Sequence, residues 1–208
     1  MVLSVLLILV IGYLLGNING AIWISKSVVH DDVRTHGSGN AGFTNFFRNY
    51  GGLSSLLVLA IDFLKAAIAC LVGGWLLGRY GYRLEGMMAA ALAVTLGHDF
   101  PALCGFKGGK GILCGLAVAV CIDWRIAVVI FILFFAAYLP TRYVSLGSVV
   151  GASGYGVGFI LFHHDNWILM LGGIALSGLA IFMHRANIKR LIHKEESKTD
   201  FFKRKKKA

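Results

Sequence analysis

The chain has 208 residues, of which 57% are hydrophobic and 14% are charged, and its formal net charge is +10. Together with a mean hydropathy of +0.74, this composition excludes an ordinary soluble domain, in which about 25% of the residues are charged. The sequence therefore predicts an integral membrane protein, and the apolar runs at residues 1–18 and 53–77 are long enough to cross a bilayer.

Seven apolar segments follow one another along the chain. They lie near residues 2–24, 53–77, 85–103, 111–122, 125–139, 144–162 and 167–183. The fourth and fifth are shorter than the roughly 20 residues of a straight crossing, so five spans with a re-entrant or shallow hairpin at 111–139 form the alternative. In both versions we expect an all-α, polytopic transmembrane helix bundle, with residues 1–208 forming a single domain and the termini on opposite sides of the membrane.

Basic residues are concentrated in alternate loops and in the tail at residues 184–208. The first, third and fifth loops contain Lys26, Arg34, Arg48, Lys107, Lys110 and Arg142. Because short basic loops are retained in the cytoplasm, we expect these loops and the tail to be cytoplasmic and the N-terminus to lie outside. The tail contains a basic cluster at residues 203–207, which beside a last span is typical of contact with anionic lipid headgroups rather than with nucleic acid.

The first loop contains a glycine- and amide-rich segment, residues 37–48. Its glycines allow backbone N–H groups to turn towards a ligand. Its neutral polar side chains are Ser38, Asn40, Thr44 and Asn45. Arg48 adds a permanent charge with planar donors suited to phosphate. These groups predict an anion site, with phosphate as the leading candidate.

Two further polar clusters fall on the same predicted face of the membrane. The second, residues 97–111, begins with Gly97 and His98 and ends in a run of two lysines and three glycines after Phe106. The third, residues 184–196, contains a histidine, several cations and Asn187. Because the three clusters share one face, the sequence predicts that they form one site.

Two nucleotide motifs are matched only in form. Residues 37–42 satisfy G-x-G-x-x-G, but that fingerprint opens a helix inside a soluble βαβ unit, for which this chain shows no pattern. Residues 105–111 resemble a P-loop without its glycine spacing and without the Ser or Thr that holds magnesium. The four cysteines show no metal-ligand spacing. We therefore expect no nucleotide, metal or other cofactor.

The three clusters resemble the bacterial acyl-phosphate:glycerol-3-phosphate acyltransferases of the inner membrane. That family carries GSGNxGxTNxxR, GHxFPxxxxFKGGKG and HRxNIxRLxxGxE, and residues 37–48, 97–111 and 184–196 match these motifs in order and spacing. The resemblance covers nearly the whole chain. Ala41 stands where the family usually has proline, and Lys194 where it has glycine, which bears on the turn that leads to Glu196.

A charged pair in the second span, Asp62 and Lys65, also resembles the family's pattern. The two residues are separated by one helical turn, so they can neutralise each other. We interpret the pair mainly as structural support.

The resemblance implies transfer of a fatty acyl group from acyl phosphate to the 1-hydroxyl of sn-glycerol 3-phosphate, which forms lysophosphatidic acid and phosphate in the first step of phospholipid synthesis. It also implies a bacterial inner-membrane location, an active site facing the cytoplasm and an upstream enzyme that forms acyl phosphate. The residues that it implies as catalytic are Ser38, Arg48, Lys107, His184 and Asn187. Those that it implies as substrate-binding are Gly37, Gly39, Asn40, Gly42, Thr44, Asn45, His98, Gly108, Gly109, Lys110, Gly111, Arg185, Arg190 and Glu196.

The residue types suit this chemistry because donor and acceptor both carry phosphate, whose charges must be neutralised. Acyl phosphate is already activated, so no covalent intermediate is required, and we expect Ser38 to be a hydrogen-bonding ligand rather than a nucleophile. The proton of the acceptor hydroxyl has three candidate acceptors: His98, His184 and a substrate phosphate oxygen.

A small anion transporter would also place glycines and cations among apolar spans. Such transporters are typically built from repeated halves with broken helices near the midplane, whereas here the motifs lie in loops on one side and no internal repeat is evident. A coenzyme A-dependent acyltransferase of the His-x-x-x-x-Asp type is disfavoured because no histidine has an aspartate five positions later.

Overall fold

The computed structural model describes residues 1–199, which form α-helices, two short 3-10 turns and loops. The α-helices are α1 (Val2–Asn17), α2 (Gly20–Ser27), α3 (Phe43–Asn49), α4 (Gly52–Gly78), α5 (Arg83–Asp99), α6 (Ile112–Ile122), α7 (Trp124–Thr141), α8 (Val144–Phe162), α9 (Trp167–Met183) and α10 (Arg185–Ile192). The predicted all-α fold is confirmed. The end of the predicted basic tail, with its cluster at 203–207, lies outside the described residues.

Five stretches are long and apolar enough to cross a membrane. They are Val2–Ser27, Gly52–Gly78, Arg83–Cys104, Trp124–Thr141 and Val144–Phe162. A sixth results if α9 and α10, which are bent by 56° relative to each other, count as one broken span. Helix α6 has 11 residues, so it is too short for a straight crossing. Each of the seven predicted segments thus contains an apolar helix. In the region of the alternative shallow hairpin, 111–139, α6 is too short to cross, whereas α7 is long enough.

Glycines allow the helices of the bundle to pack closely. Helices α1, α4 and α5 pack together, α8 packs against both α7 and α9, and α6 contacts both α4 and α7. A Cβ on Gly73 of α4 would lie 2.2 Å from the carbonyl oxygen of Gly86 in α5. A Cβ on Gly97 of α5 would lie 2.2 Å from the carbonyl oxygen of Tyr13 in α1. Small residues at such contacts are typical of membrane helices, and the contact at Gly97 fixes the end of α5, where the second motif begins.

The first apolar stretch is broken between α1 and α2. Nζ of Lys65 donates to the carbonyl oxygens of Gly16 (3.3 Å) and Ile18 (2.7 Å), and Oδ1 of Asp62 accepts from the backbone N–H of Gly20 (3.1 Å). Asp62 also pairs with Lys65 at 2.8 Å. A helix break leaves backbone groups without intrahelical partners, and the buried pair supplies these partners. This geometry agrees with the structural support predicted for Asp62 and Lys65.

Candidate active site

The first motif folds around the buried side chain of Asn45. Its Nδ2 lies within 3.0 to 3.1 Å of three loop carbonyl oxygens, and its Oδ1 accepts from the backbone N–H of Ser38 at 3.0 Å. Gly37 has a φ of +57°, and a Cβ there would lie 2.4 Å from Asn45 Oδ1. Asn45 therefore organises the loop that presents Ser38 and Arg48.

Two hydrogen bonds tie this loop to the second motif. Arg34 Nη1 donates to the carbonyl oxygen of Cys104 (2.9 Å), and the backbone N–H of Ala41 donates to the carbonyl oxygen of Gly108 (3.3 Å). Proline, the usual family residue at position 41, has no N–H and could not make the second bond. One side-chain donor and one backbone donor of the first loop therefore bind backbone carbonyl oxygens of the second motif.

The glycines of the second motif allow its loop to pack onto the end of α5. The backbone N–H of Gly109 donates to the carbonyl oxygen of His98 at 3.0 Å. A Cβ on Gly109 would lie 2.0 Å from His98 Nε2, and one on Gly108 would lie 2.0 Å from the His98 carbonyl oxygen. The structure thus gives these two glycines a packing role and places them against the α5 histidine.

This packing directs Lys110 inwards and leaves Lys107 exposed. Nζ of Lys110 donates a hydrogen bond to Oδ1 of Asn187 in α10. Burial lowers the pKa of Lys110 to about 8; the carboxylate of Glu196 opposes this shift, and neighbouring arginines add to it. Lys110 is therefore a partly desolvated cation that joins the second motif to the third.

The third motif is held together by Glu196, which is 7% exposed. Its Oε1 accepts from Asn187 Nδ2 at 2.8 Å, and its Oε2 accepts from Arg190 Nε at 2.7 Å. Burial alone would raise the pKa of Glu196, but the hydrogen bonds from Asn187 and Arg190 lower it below its ordinary value. Lys194 has a φ of +59°, so it adopts the left-handed conformation that glycine enters at little cost. The turn is thus kept without the family's usual glycine.

His98 and His184 differ in the nitrogen that can accept a proton. His98 Nδ1 lies 2.8 Å from Nζ of Lys65, and an ammonium group can only donate, so the proton of the neutral ring is on Nε2. His184 Nδ1 lies 2.8 Å from the carbonyl oxygen of Ala180, which can only accept, so this ring is protonated on Nδ1. Nε2 of His184 therefore keeps a lone pair.

The three motifs meet at a cavity of about 410 Å³. The polar part of its wall contains Ser38, Asn40, Thr44, Asn45, Arg48, Asp62, His98, Lys110, Ser145, Ser148, His184, Asn187 and Glu196. The apolar part is formed by Leu59 and by residues of α6 and α7 such as Leu116, Ile130 and Phe134. The cavity thus combines cationic and amide groups with an apolar chamber.

A smaller, more polar pocket of about 360 Å³ adjoins this cavity. It is lined by Gly37, Ser38, Asn45, Arg48, Asn49, Arg190, Glu196 and Ser197. Ser38, Asn45, Arg48 and Glu196 belong to the walls of both. Burial lowers the pKa of Arg48, Glu196 opposes this and Arg190 adds to it, and the guanidinium remains charged at neutral pH.

Most of the predicted site residues lie in these two walls. Those found there are Gly37, Ser38, Asn40, Gly42, Thr44, Asn45, Arg48, His98, Lys110, Gly111, His184, Asn187, Arg190 and Glu196. Those not brought to either wall are Gly39, Lys107, Gly108, Gly109 and Arg185. Arg185 is exposed, donates to the carbonyl oxygen of Phe182 and stacks over that ring, so these contacts are with the last turn of α9.

Several wall residues were not among the predicted site residues. Asn49 follows Arg48 by one position, and Nδ2 of Asn49 donates to the carbonyl oxygen of Asn45. Its place in the amide-rich helix α3 could have identified Asn49 as a candidate site residue. Ser197 comes after the third motif, where the sequence offers no such signal.

Comparison with known proteins identifies similar chains. The sequence model of a family described as "Glycerol-3-phosphate acyltransferase" matches residues 6–194. A glycerol-3-phosphate acyltransferase of Thermoanaerobacter sp. (strain X514) is 38% identical over 192 residues, covering 91% of this chain and 92% of the relative.

Two crystal structures of PlsY (YgiH), an integral membrane glycerol 3-phosphate acyltransferase, are also similar. The glycerol 3-phosphate form gives a TM-score of 0.85 at 32% identity, covering 95% of this chain and 96% of the other. The lysophosphatidic acid form gives a TM-score of 0.81 at 31% identity, with the same coverage. The resemblance read from the three motifs and the membrane-integral helical fold are both confirmed.

Proposed function

Because the chain belongs to the glycerol-3-phosphate acyltransferase family, whose sequence model matches residues 6–194, we propose that it transfers a fatty acyl group from acyl phosphate to the 1-hydroxyl of sn-glycerol 3-phosphate. The products are lysophosphatidic acid and inorganic phosphate. The observation that carries this proposal is the meeting of three distant motifs around one cationic group, Arg48, which belongs to two adjoining pockets.

The two pockets suit two different substrates. The large cavity has an apolar wall, and two of its lining residues, Phe131 and Phe135, are 46% and 38% exposed on the surface of the bundle. An acyl chain can therefore lie against this wall in continuity with the surrounding lipid. The smaller pocket is lined by Arg48, Arg190 and amide side chains, which suit a small phosphorylated alcohol. The phosphates meet where the walls are shared.

In the reaction, the hydroxyl oxygen attacks the acyl carbonyl carbon, and the bond between that carbon and the phosphate oxygen breaks. The phosphate leaves with the bonding electron pair. Arg48 and Lys110 neutralise the negative charge that develops on the oxyanion and the leaving group, and the motif amides orient the substrates. Ser38 then acts as a hydrogen-bonding ligand, because the donor is already activated and no covalent intermediate is needed.

The hydroxyl proton needs an acceptor. Because Nδ1 of His98 already receives a hydrogen bond from Lys65 and its Nε2 carries the ring proton, His98 is disfavoured. His184 has its lone pair on Nε2 and lines the cavity. The geometry therefore favours His184 Nε2 or a substrate phosphate oxygen over His98.

We propose that the reaction needs no metal ion or other cofactor. The phosphate groups can be neutralised by Arg48, Lys110 and Arg190, so the donor set of the site supplies the required positive charge. The lining carboxylates are engaged elsewhere: Asp62 pairs with Lys65, and Glu196 binds Asn187 and Arg190. Full activity in EDTA is the expected result, and activity that requires magnesium would contradict the proposal.

We further propose that the protein lies in a bacterial inner membrane with this site facing the cytoplasm, where an upstream enzyme forms the acyl phosphate. The distribution of basic residues among the loops supports this orientation. The test is labelling of single cysteines placed at Gly39 and Lys198 in a variant without the native cysteines. Labelling of either position by an impermeant reagent in intact cells would contradict the orientation.

The proposed reaction is tested with purified protein in lipid, acyl phosphate and labelled glycerol 3-phosphate. We expect labelled lysophosphatidic acid and a stoichiometric release of phosphate. Reconstituted vesicles measure transport in the same preparation. Uptake of labelled phosphate or glycerol 3-phosphate without any lipid product would contradict the acyltransferase function and favour an anion transporter.

A further inference from the structure

The segment after α10 returns across the site, and we call residues 196–199 the strap. Its first residue, Glu196, binds Asn187 and Arg190 of α10, as described above. Its last residue, Thr199, is 6% exposed and is bound to a different part of the fold. The strap therefore joins α10 to elements on the other side of the cavity.

Thr199 is anchored by its backbone. Its N–H donates to the carbonyl oxygen of Arg142 at 3.0 Å, and its carbonyl oxygen accepts from the hydroxyl of Tyr138, also at 3.0 Å. Tyr138 is completely buried in α7. Neither bond uses the Thr199 side chain. A substitution of that side chain therefore leaves both backbone bonds in place.

The strap binds the guanidinium of Arg48 at two points. Arg48 Nε donates to Thr199 Oγ1, and Arg48 Nη2 donates to the carbonyl oxygen of Ser197 at 3.0 Å. Nε and Nη2 lie along one edge of the planar guanidinium, whose donors have a fixed fork geometry. Two contacts on that edge fix the plane of the group and the direction in which its opposite edge points.

The position of Arg48 gives these contacts a consequence for binding. Arg48 lies in the wall of both pockets, and Ser197 itself lines the smaller one. A long arginine side chain loses considerable rotamer freedom when it binds a ligand. A side chain that is already held in its binding orientation loses less, so the ligand binds more tightly.

We propose that the strap is a positioning element: Thr199 Oγ1 and the Ser197 carbonyl oxygen hold Arg48 in the orientation that receives the phosphate of glycerol 3-phosphate. This inference rests on the proposed function, which assigns the phosphate to Arg48. The match to the family's sequence model ends at residue 194, so the strap lies beyond the residues that this match covers.

The test compares two single substitutions in the full chain, measured at saturating acyl phosphate with varied glycerol 3-phosphate. Thr199→Val keeps the branched shape but lacks the oxygen that accepts from Arg48, and we expect its KM to rise about five- to tenfold, with a smaller change in kcat. Thr199→Ser retains the oxygen and should stay within about twofold of the original protein, because the contact with Arg48 is kept.

Two further variants make the test specific to Arg48. Tyr138→Phe removes one anchor of Thr199 and should raise KM in the same direction by a smaller factor. In an Arg48→Ala background, adding Thr199→Val should cause no further loss of kcat/KM, because the two residues act together. An equal loss with and without Arg48 would show general destabilisation and overturn the inference.

The results also separate this inference from the proposed function. If the original protein forms no lysophosphatidic acid, the proposed function is wrong. If the original protein is active and Thr199→Val and Tyr138→Phe both have its KM, the proposed function stands and the positioning role of the strap is wrong. Thermal unfolding of each variant identifies any that has lost its fold. If Thr199→Val unfolds, the KM of Tyr138→Phe decides the outcome.

Discussion

The two ends of the helix bundle both carry polar residues, but they use them differently. At the end opposite the motifs, Asp123 and Asn166 accept hydrogen bonds from backbone N–H groups in the first turns of α7 and α9. Asp123 also pairs with Arg125 and His163, and Asn166 donates to Glu85. These groups cap helices and tie their ends together, as polar residues at helix ends commonly do.

At the motif end, polar groups from distant parts of the sequence converge on a cavity. Lys110 binds Asn187, Asn187 binds Glu196, and the strap that begins at Glu196 reaches Arg48. Glu196, Asn187 and His184 are each less than a tenth exposed. The difference shows that a polar helix end becomes a candidate site when desolvated groups from several segments line one space.

The largest expected effect comes from removing Arg48 at the motif end, compared with removing Arg125 at the opposite end. Arg48→Ala should lower kcat/KM roughly 10²- to 10³-fold, the scale of a lost donor in a desolvated catalytic site. Arg125→Ala removes an arginine of the opposite end, about half exposed and paired with Asp123, and should change kcat/KM less than about twofold. Steady-state kinetics of both purified variants check this, and equal effects would erase the distinction between the ends.

The two lysines of the second motif, Lys107 and Lys110, allow the same comparison of an exposed and a buried cation within one loop. Lys110→Ala should lower kcat/KM about 10²-fold or more, because it removes a half-buried cation that contacts Asn187. Lys107→Ala should have an effect below about threefold, because Lys107 is exposed and outside both walls. The sequence placed Lys107 among the catalytic residues, so a larger loss from Lys107→Ala than from Lys110→Ala would favour that assignment over the structural one.

The lowered pKa of Lys110 predicts that kcat/KM depends on pH. Because burial lowers the pKa of Lys110 to about 8, its ammonium form is present below that pH and is lost as the pH rises through it. The value of kcat/KM reports groups of the free enzyme, so it should fall as the pH rises above about 8. Lys110→Arg keeps its charge at high pH, so its activity should lack this fall. An identical alkaline fall in both proteins would assign it to another group.

The smallest expected effect concerns the turn before the strap. Lys194→Gly removes a Cβ from a residue at a φ of +59°, and relief of this strain in the folded state should raise the free energy of unfolding. The gain should be at most about 1 kcal/mol, because the greater entropy of the unfolded chain with glycine offsets part of it. Gly111→Ala is the opposite case: it adds a Cβ at a φ of +66°, 2.7 Å from Thr95 Cγ2, and should lower the free energy of unfolding by about 1–3 kcal/mol. The midpoints of thermal unfolding of the two variants should shift in opposite directions. A lower midpoint for Lys194→Gly would show that Lys194 is not strained in the folded state.

The helices could be predicted from local patterns, and the convergence of the motifs from the alternation of basic loops, which placed all three motifs on one face. Long apolar runs form helices wherever they are buried in lipid, because backbone groups must be satisfied internally. The break between α1 and α2 falls at Asn17 and Asn19, inside the segment 2–24 that the sequence predicts as one apolar segment. Its partners come from Asp62 and Lys65 of another helix. Length alone did not reveal that interruption.

The sequence alone did not show which of Lys107 and Lys110 points into the site. The direction of each side chain depends on how Gly108 and Gly109 pack against His98, which is a tertiary contact. The strap was hidden for a similar reason: Thr199 is 151 positions from Arg48 in the chain. Such distant pairs leave no periodicity or spacing in a single sequence.

A comparison of acyl donors distinguishes acyl phosphate from the other activated forms of a fatty acid. The purified protein in lipid receives labelled glycerol 3-phosphate with acyl phosphate, acyl coenzyme A or acyl carrier protein as donor, each with and without EDTA. We expect lysophosphatidic acid to form fastest from acyl phosphate and at the same rate in EDTA, because Arg48 and Lys110 neutralise the phosphate leaving group directly. Faster transfer from acyl coenzyme A, or activity abolished by EDTA and restored by magnesium, would contradict it.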